Sequence, residues 1–164
     1  MTALPTETAR LRTWLAIAST VQLGASVAGL VVSVRRRHPY DFLFLHGKAD
    51  KVARDAFGMG TPLSAPAAML AAQGAAIVQL ARGRTGRPEQ VLAGLGSAMV
   101  PGYLGETLVR RRLRPSGFDR VETPVAVTGL TMAAAMALLG WSTVRSAPRA
   151  QAVTPVGAPR RAVA

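Results

Sequence analysis

Apolar positions along the chain fall into four blocks, each close to the ~20 residues that a ~30 Å hydrocarbon core requires. Residues 13–34, "TWLAIASTVQLGASVAGLVVSV", carry no charge and one internal glutamine, Gln22. Residues 61–81, "TPLSAPAAMLAAQGAAIVQLA", place Pro62 and Pro66 in their first turns, where a missing N–H does least harm. The third block spans residues 88–109. The fourth, residues 124–144, follows Thr123, a helix-starting residue, and carries Trp141 near its far end. A helix apolar on every side belongs in a large core or in a membrane. A chain of 164 residues with few large side chains cannot enclose four such helices. The pattern therefore predicts an all-α fold, an integral membrane four-helix bundle. A cleavable leader is the competing reading of the first block, because Arg10 and Arg12 precede it and "SVA" precedes Gly29. Apolar residues continue to Val34 and stop at Arg35, Arg36 and Arg37, which predicts a retained helix.

Between the first two blocks lies "HPYDFLFLHGKADKVARDAFGMG". Phe42, Leu45, Ala49, Val52, Ala53 and Ala56 share one helical face, and Asp50–Arg54 and Lys51–Asp55 stand at i,i+4. This spacing predicts a short amphipathic helix lying on the membrane surface over residues 41–57, with a loop holding one helical turn as the alternative. The domain plan is a stub at residues 1–12, the transmembrane domain at 13–144, and a basic tail at 145–164. That tail, rich in proline and small residues, should be disordered.

Small residues recur every four positions: Gly94, Ala98 and Gly102; Gly129, Ala133 and Ala137; Ala68, Ala72 and Ala76; Ala25 and Gly29. Such faces let helix backbones approach closely in lipid. The chain has 16 Gly, no Cys and 5% aromatic residues. The absence of Cys excludes disulfides and thiolate metal sites. Arginine dominates the basic residues and Ala and Gly are abundant, the composition of a GC-rich bacterial genome. The net charge of +12 invites a nucleic-acid reading. The basic residues instead cluster at the edges of the apolar blocks, without a stripe or interleaved aromatics, so they read as juxtamembrane anchors. Basic residues are more numerous in the first and third loops than in the stub, second loop and tail. The positive-inside rule then puts both termini outside the bacterial inner membrane.

Candidate chemistry is sparse. Glu106 is the one acidic residue inside a predicted span beyond its first turn, and such residues mark pathways or sites when they face the bundle interior. Arg110 lies at i+4, so an interfacial Glu106–Arg110 ion pair is the alternative. Pro101 frees the Ser97 carbonyl. Tyr103 shares a helix face with Glu106. The candidate polar site is therefore Glu106, Tyr103, Ser97, Gln73 and Gln22. Glutamines between helices also serve as hydrogen-bond glue, as Gln79 does on this reading. His38 and His46 have no recognised ligand spacing, and no phosphate loop, nucleophile elbow or paired in-span carboxylates occur. No metal or cofactor is expected, nor a nucleic-acid partner. The implied partners are the lipid bilayer and a second membrane protein or copy of the chain. The expected function is a non-enzymatic accessory or assembly component. The second reading is a small transporter, or a membrane enzyme acting on a lipid-like substrate, with Glu106 in the bundle interior.

Overall fold

The computed structural model describes residues 5–36, 41–42, 45–46 and 60–146. The protein is helical, with five α-helices among the described residues: α1 (Pro5–Arg35), α2 (Ala67–Ala81), α3 (Arg87–Gly105), α4 (Thr107–Arg112) and α5 (Glu122–Ser146). A 3₁₀ turn covers Pro115–Gly117. The four longer helices run alternately up and down. α1 packs on α5, α5 on α3, α3 on α2, and α2 back on α1, so α1 and α3 lie across the diagonal.

Two of the four expected spans, α1 and α5, are long and apolar enough to cross a membrane. The other two depart from the expected form. α2 has 15 residues, because the block begins as a tight turn in which the Thr61 N–H donates to Ser64 O and the Ser64 N–H to Thr61 O. Pro62 and Pro66 supply no N–H, so this stretch cannot extend the helix in the N-terminal direction. The expected third helix is interrupted. Pro101 removes one ladder donor, Gly102 and Gly105 weaken the last turns, and the backbone is extended at Glu106 before α4 begins.

The turn from α2 to α3 follows from two glycines. Gly83 and Gly86 have φ of 75° and 87°, the left-handed region that side chains disfavour. The Gly83 N–H closes the end of α2 on Leu80 O, and Pro88 opens α3 where its missing N–H is harmless. At the start of α5, Asp119 rather than Thr123 caps the helix. Its Oδ1 accepts the N–H groups of Val121 and Glu122 at 2.9 and 2.8 Å.

The surface helix expected over residues 41–57 does not begin as a helix. Asp41–Phe42 pairs antiparallel with Leu45–His46, in the register Asp41 to His46 and Phe42 to Leu45. The rest of that segment, His38, and the tail beyond Ser146 lie outside the described residues.

Close packing uses small residues, but not all of those expected. On α5, Gly129 and Ala133 face inward, joined by Gly140. A Cβ on Gly96 would meet Ala133 O at 2.7 Å, and one on Gly140 would meet Ala93. The inward face of α3 is thus Leu92, Ala93, Gly96, Met99 and Tyr103. Gly94 and Gly102 have open space where a Cβ would be. Ala68 and Ala72 are exposed on α2, whose inward residues are Gln73, Ala76 and Leu80.

The core mixes apolar residues, among them Leu15, Leu63, Leu92, Val109 and Met136, with polar ones, and large apolar side chains face outward. Trp14, Ile17, Val21, Val27 and Val31 on α1, and Val127, Leu138 and Trp141 on α5, are exposed. Ser19, Gln22, Ser26, Ser33, Gln73, Glu89, Glu106 and Glu122 are buried.

Candidate functional site

The inward edge of α1 reads Arg12, Leu15, Ser19, Gln22, Ser26, Gly29, Ser33 and Arg36. The spacing alternates three and four residues, so these positions form one straight seam along the helix. Halfway along it, polar side chains link three helices. Gln73 Nε2 donates to Ser19 O at 2.8 Å and to Gln22 Oε1 at 2.7 Å. Gln22 Nε2 donates to Ser26 Oγ at 2.9 Å, and Ser26 Oγ meets the Tyr103 hydroxyl at 3.3 Å. Gly129 of α5 makes room for that hydroxyl, since a Cβ there would sit 2.5 Å from it. Three of the five sequence-predicted site residues therefore belong to one connected network.

Tyr103 also lines a cavity of about 110 Å³. Its walls come from the two irregular parts of the fold. The buried turn supplies Thr61 and Ser64, and the start of α2 supplies Met69. The end of α3 supplies Met99, Tyr103 and Glu106. Ala98, exposed on α3, and Gly102 complete its rim. The break at Glu106 turns this residue inward, where it is 7% exposed. The alternative pairing with Arg110 does not form. Arg110 points outward and donates to Thr107 Oγ1 at 3.2 Å. Only its backbone N–H reaches Glu106, through the carbonyl that opens α4.

Ser97 lies apart from this site. Its hydroxyl donates to Ala93 O and accepts the Trp141 indole N–H at 3.0 Å on the outer side of the bundle. Gln79 is half-buried on α2.

Two carboxylates at the starts of the third and fourth blocks, not singled out from sequence, are buried at opposite ends of the seam. Glu89, in the first turn of α3, is 1% exposed and pairs with Arg12 at 3.1 Å. Glu122, in the first turn of α5, is fully buried. Arg36 Nη1 and Arg112 Nε donate to it, the latter at 2.8 Å. Arg36 Nη1 also reaches Asp119 at 3.0 Å. Both carboxylates lie at helix N-termini, where the backbone dipole favours negative charge. The N–H groups of Glu122 and Val121, then the Arg36 guanidinium, hold the Asp119 carboxyl well below its usual range. Asp119 and Glu122 in turn raise the Arg36 pKa. The signals available in sequence were Pro88 directly before Glu89, Glu122 directly before "TP", and the three–four spacing that places Arg12 and Arg36 on the seam.

Among the described residues no cluster of three or more His, Asp or Glu side chains is placed to hold a metal ion. Comparison of the chain with protein-family models, curated proteins and solved structures finds no match.

Proposed function

We propose that the protein is an integral membrane bundle whose interior cavity receives a small ligand beside Glu106 and Tyr103, as a transporter or binding protein would. The observation that carries this reading is the placement of Glu106 at the break between α3 and α4. There it is buried and lines a cavity together with Tyr103. Broken helices around an interior site are a recurring device for presenting polar backbone and side chains to a solute.

Membrane placement is supported by the exposed apolar faces of α1 and α5. The most apolar stretches of α1 and α5 are only 33% and 28% buried, whereas the core helix of a water-exposed protein hides most of such a stretch. In lipid the outward Val, Ile and Leu side chains are at home, and the polar residues gather inside. In this reading α2 and α3, with the buried turn, complete a four-helix bundle in the bacterial inner membrane. The arginine distribution places its first and third loops in the cytoplasm and both termini outside. Reporter fusions after Arg37 and Arg87 check that orientation. A cytoplasmic signal only at Arg87 reverses it.

The ligand reading is tested by mass spectrometry of small molecules extracted from the detergent-purified protein. Glu106→Gln removes the carboxylate. Gly102→Leu narrows the cavity from a position with no neighbour within 4 Å of a new Cβ. The wild type should carry a molecule that both variants lack, with equal helicity in all three. Identical extracts from three folded proteins would eliminate the cavity reading and leave an accessory or assembly component.

A further inference from the structure

Five buried side-chain polar atoms have no hydrogen-bond partner among the described residues: Ser19 Oγ, Ser33 Oγ, Thr61 Oγ1, Gln73 Oε1 and Glu89 Oε2. They are not scattered. Ser19 and Ser33 lie on the α1 seam, Gln73 is bonded to it, Glu89 pairs with Arg12 at one end, and Thr61 lines the cavity near the other. Buried polar groups are almost always satisfied, and where protein atoms do not serve, ordered water does.

The two serines sharpen the point. Thr13, Thr20, Ser97 and Thr143 each donate to the carbonyl four residues back, at 2.8–3.1 Å. That is the default for a hydroxyl on an apolar helix. Ser19 and Ser33, buried on the same kind of helix, do not make this bond. Hydroxyls that serve only as packing glue would make it.

The seam runs from Arg12 to Arg36, 24 residues, or about 36 Å at 1.5 Å per residue. That matches the thickness of a hydrocarbon core. It is divided in the middle. Below, Ser19, Gln73 Oε1 and Glu89 mark one polar stretch. Above, the cavity, Thr61 and Ser33 mark another, with Tyr103 and Ser26 between their hydroxyls. The amide pair Gln22–Gln73, at 2.7 Å, closes the gap directly and leaves no space for water between them.

We propose that this seam is a hydrated path for protons along the bundle axis, closed by the Gln22–Gln73 pair. Waters bound to the five atoms would carry the proton by exchange along hydrogen bonds, and the amide pair interrupts that chain. The ends favour protons over metal cations. Arg12 and Arg36 neutralise the carboxylates there, so no unpaired negative ring gathers ions. The cavity belongs to the upper half, and this inference rests on the membrane placement proposed above.

The test uses the full chain in sealed vesicles of phosphatidylcholine and phosphatidylglycerol, with pyranine inside and the membrane potential clamped by valinomycin and potassium. After an external acid step, the wild type should acidify the lumen slowly. Gln22→Ala/Gln73→Ala removes the closure and should speed acidification several-fold. Adding Ser19→Leu fills the lower half and should return the rate to that of the wild type. Trapped carboxyfluorescein should be retained throughout. A double variant no faster than wild type, or a fast one that also loses carboxyfluorescein or ignores Ser19→Leu, overturns the path. Flotation of the vesicles separates the two readings. Protein that does not float with lipid overturns the membrane placement and the path together, whereas floating protein without the predicted flux overturns the path alone. A second measurement needs no variant. Hydroxyl radicals generated by X-rays from waters inside the wild type should modify Tyr103 and Met99 on the wet side and spare Met136, which does not line the cavity. Absence of that contrast overturns the proposal whatever the variants do.

Discussion

Replacing Gly29 by alanine should dislodge the Thr61–Ser64 turn from the bundle and remove one wall of the cavity. A Cβ at Gly29 would stand 2.1 Å from Leu63 O and 2.8 Å from Leu63 C, where ordinary contact begins at 3.4 Å. The atoms it meets are backbone, so no rotamer change relieves the clash. Either α1 shifts away or the turn does. Overpacking of this kind costs about 1–3 kcal/mol. Against it stands the helix propensity of alanine, worth about 0.8–1 kcal/mol over glycine in a helix interior. Gly24→Ala, with nothing within 4 Å of its new Cβ, collects that gain without the clash and serves as the control. The propensity gain is common to both variants, so they should differ by the clash alone, about 1–3 kcal/mol. For a chain of this length that is a gap of at least about 2 °C in melting temperature. Thermal unfolding of both proteins in one detergent, followed by circular dichroism, reads the gap. A Gly29→Ala protein that melts with or above Gly24→Ala would refute the seating of the turn on α1. The same variant should lose any molecule that co-purifies with the wild type, because Thr61 and Ser64 leave the cavity wall with the turn.

Other substitutions test the ends of the bundle and the outer contact. Glu122→Ala leaves Arg36 and Arg112 facing an empty buried position. Because Arg36 is 40% exposed and regains water, the cost belongs at the low end of the range for breaking a buried pair, about 3 kcal/mol, readable in the same melts. Asp119 gives a pH dependence. Its folded pKa lies below its unfolded value of about 3.9, so its stabilising effect is present above that pH and fades as the solution is acidified through and below it. Between pH 6 and pH 3 the wild type should lose more melting temperature than Asp119→Asn, and equal losses would remove Asp119 from the clasp. Ser97→Ala gives up the Trp141 hydrogen bond for about 0.5–1.5 kcal/mol and should leave the small-molecule extract unchanged, since Ser97 is not on the cavity.

How much of this was legible follows from which interactions are local. The apolar runs of α1 and α5 were readable, because an uncharged apolar run ending in arginine depends only on neighbours in sequence, but α1 begins at Pro5, inside the stretch expected as a stub. The shortening of α2 was half-readable. Pro62 and Pro66 were placed as tolerated first-turn residues, but with Thr61 and Ser64 bonding each other they instead hold a turn. Gln22, Gln73 and Tyr103 were chosen as isolated polar residues in apolar blocks, and they converge because all three face the bundle axis. Ser97 was chosen by the same rule and failed, since its position on α3 is two residues from the inward Met99 and so points outward. Glu89 and Glu122 escaped notice because hydropathy places charged residues at the edges of apolar blocks. Their burial depends on Arg12, Arg36 and Arg112, partners that only the folded arrangement brings near. The seam on α1 was visible in spacing, yet its members are Ser, Gln and Gly, residues that a search for apolar stripes passes over.

The stretch "GLGSAMVPGYLGETLVRRRL" now has a physical reading. Its proline, glycines, tyrosine and glutamate disfavour a lipid-facing helix, and in the fold they serve the interior. Gly96 admits α5, Tyr103 reaches Ser26, and the break after Gly105 turns Glu106 inward. A 15-residue α2 is only about 22 Å long, short of a hydrocarbon core. On the membrane placement proposed above, the buried turn would complete the crossing, and its irregular backbone is tolerable at that depth only where protein encloses it. Both irregular segments border the same cavity. If packing were their sole purpose, uninterrupted helices of Leu and Ala would satisfy every backbone group without them. Two independent departures from regular helix meet at one cavity, mostly apolar with Thr61, Ser64, Tyr103 and Glu106 on its wall, beside a seam of unpartnered polar atoms, and that coincidence is what the proposed binding site and path rest on.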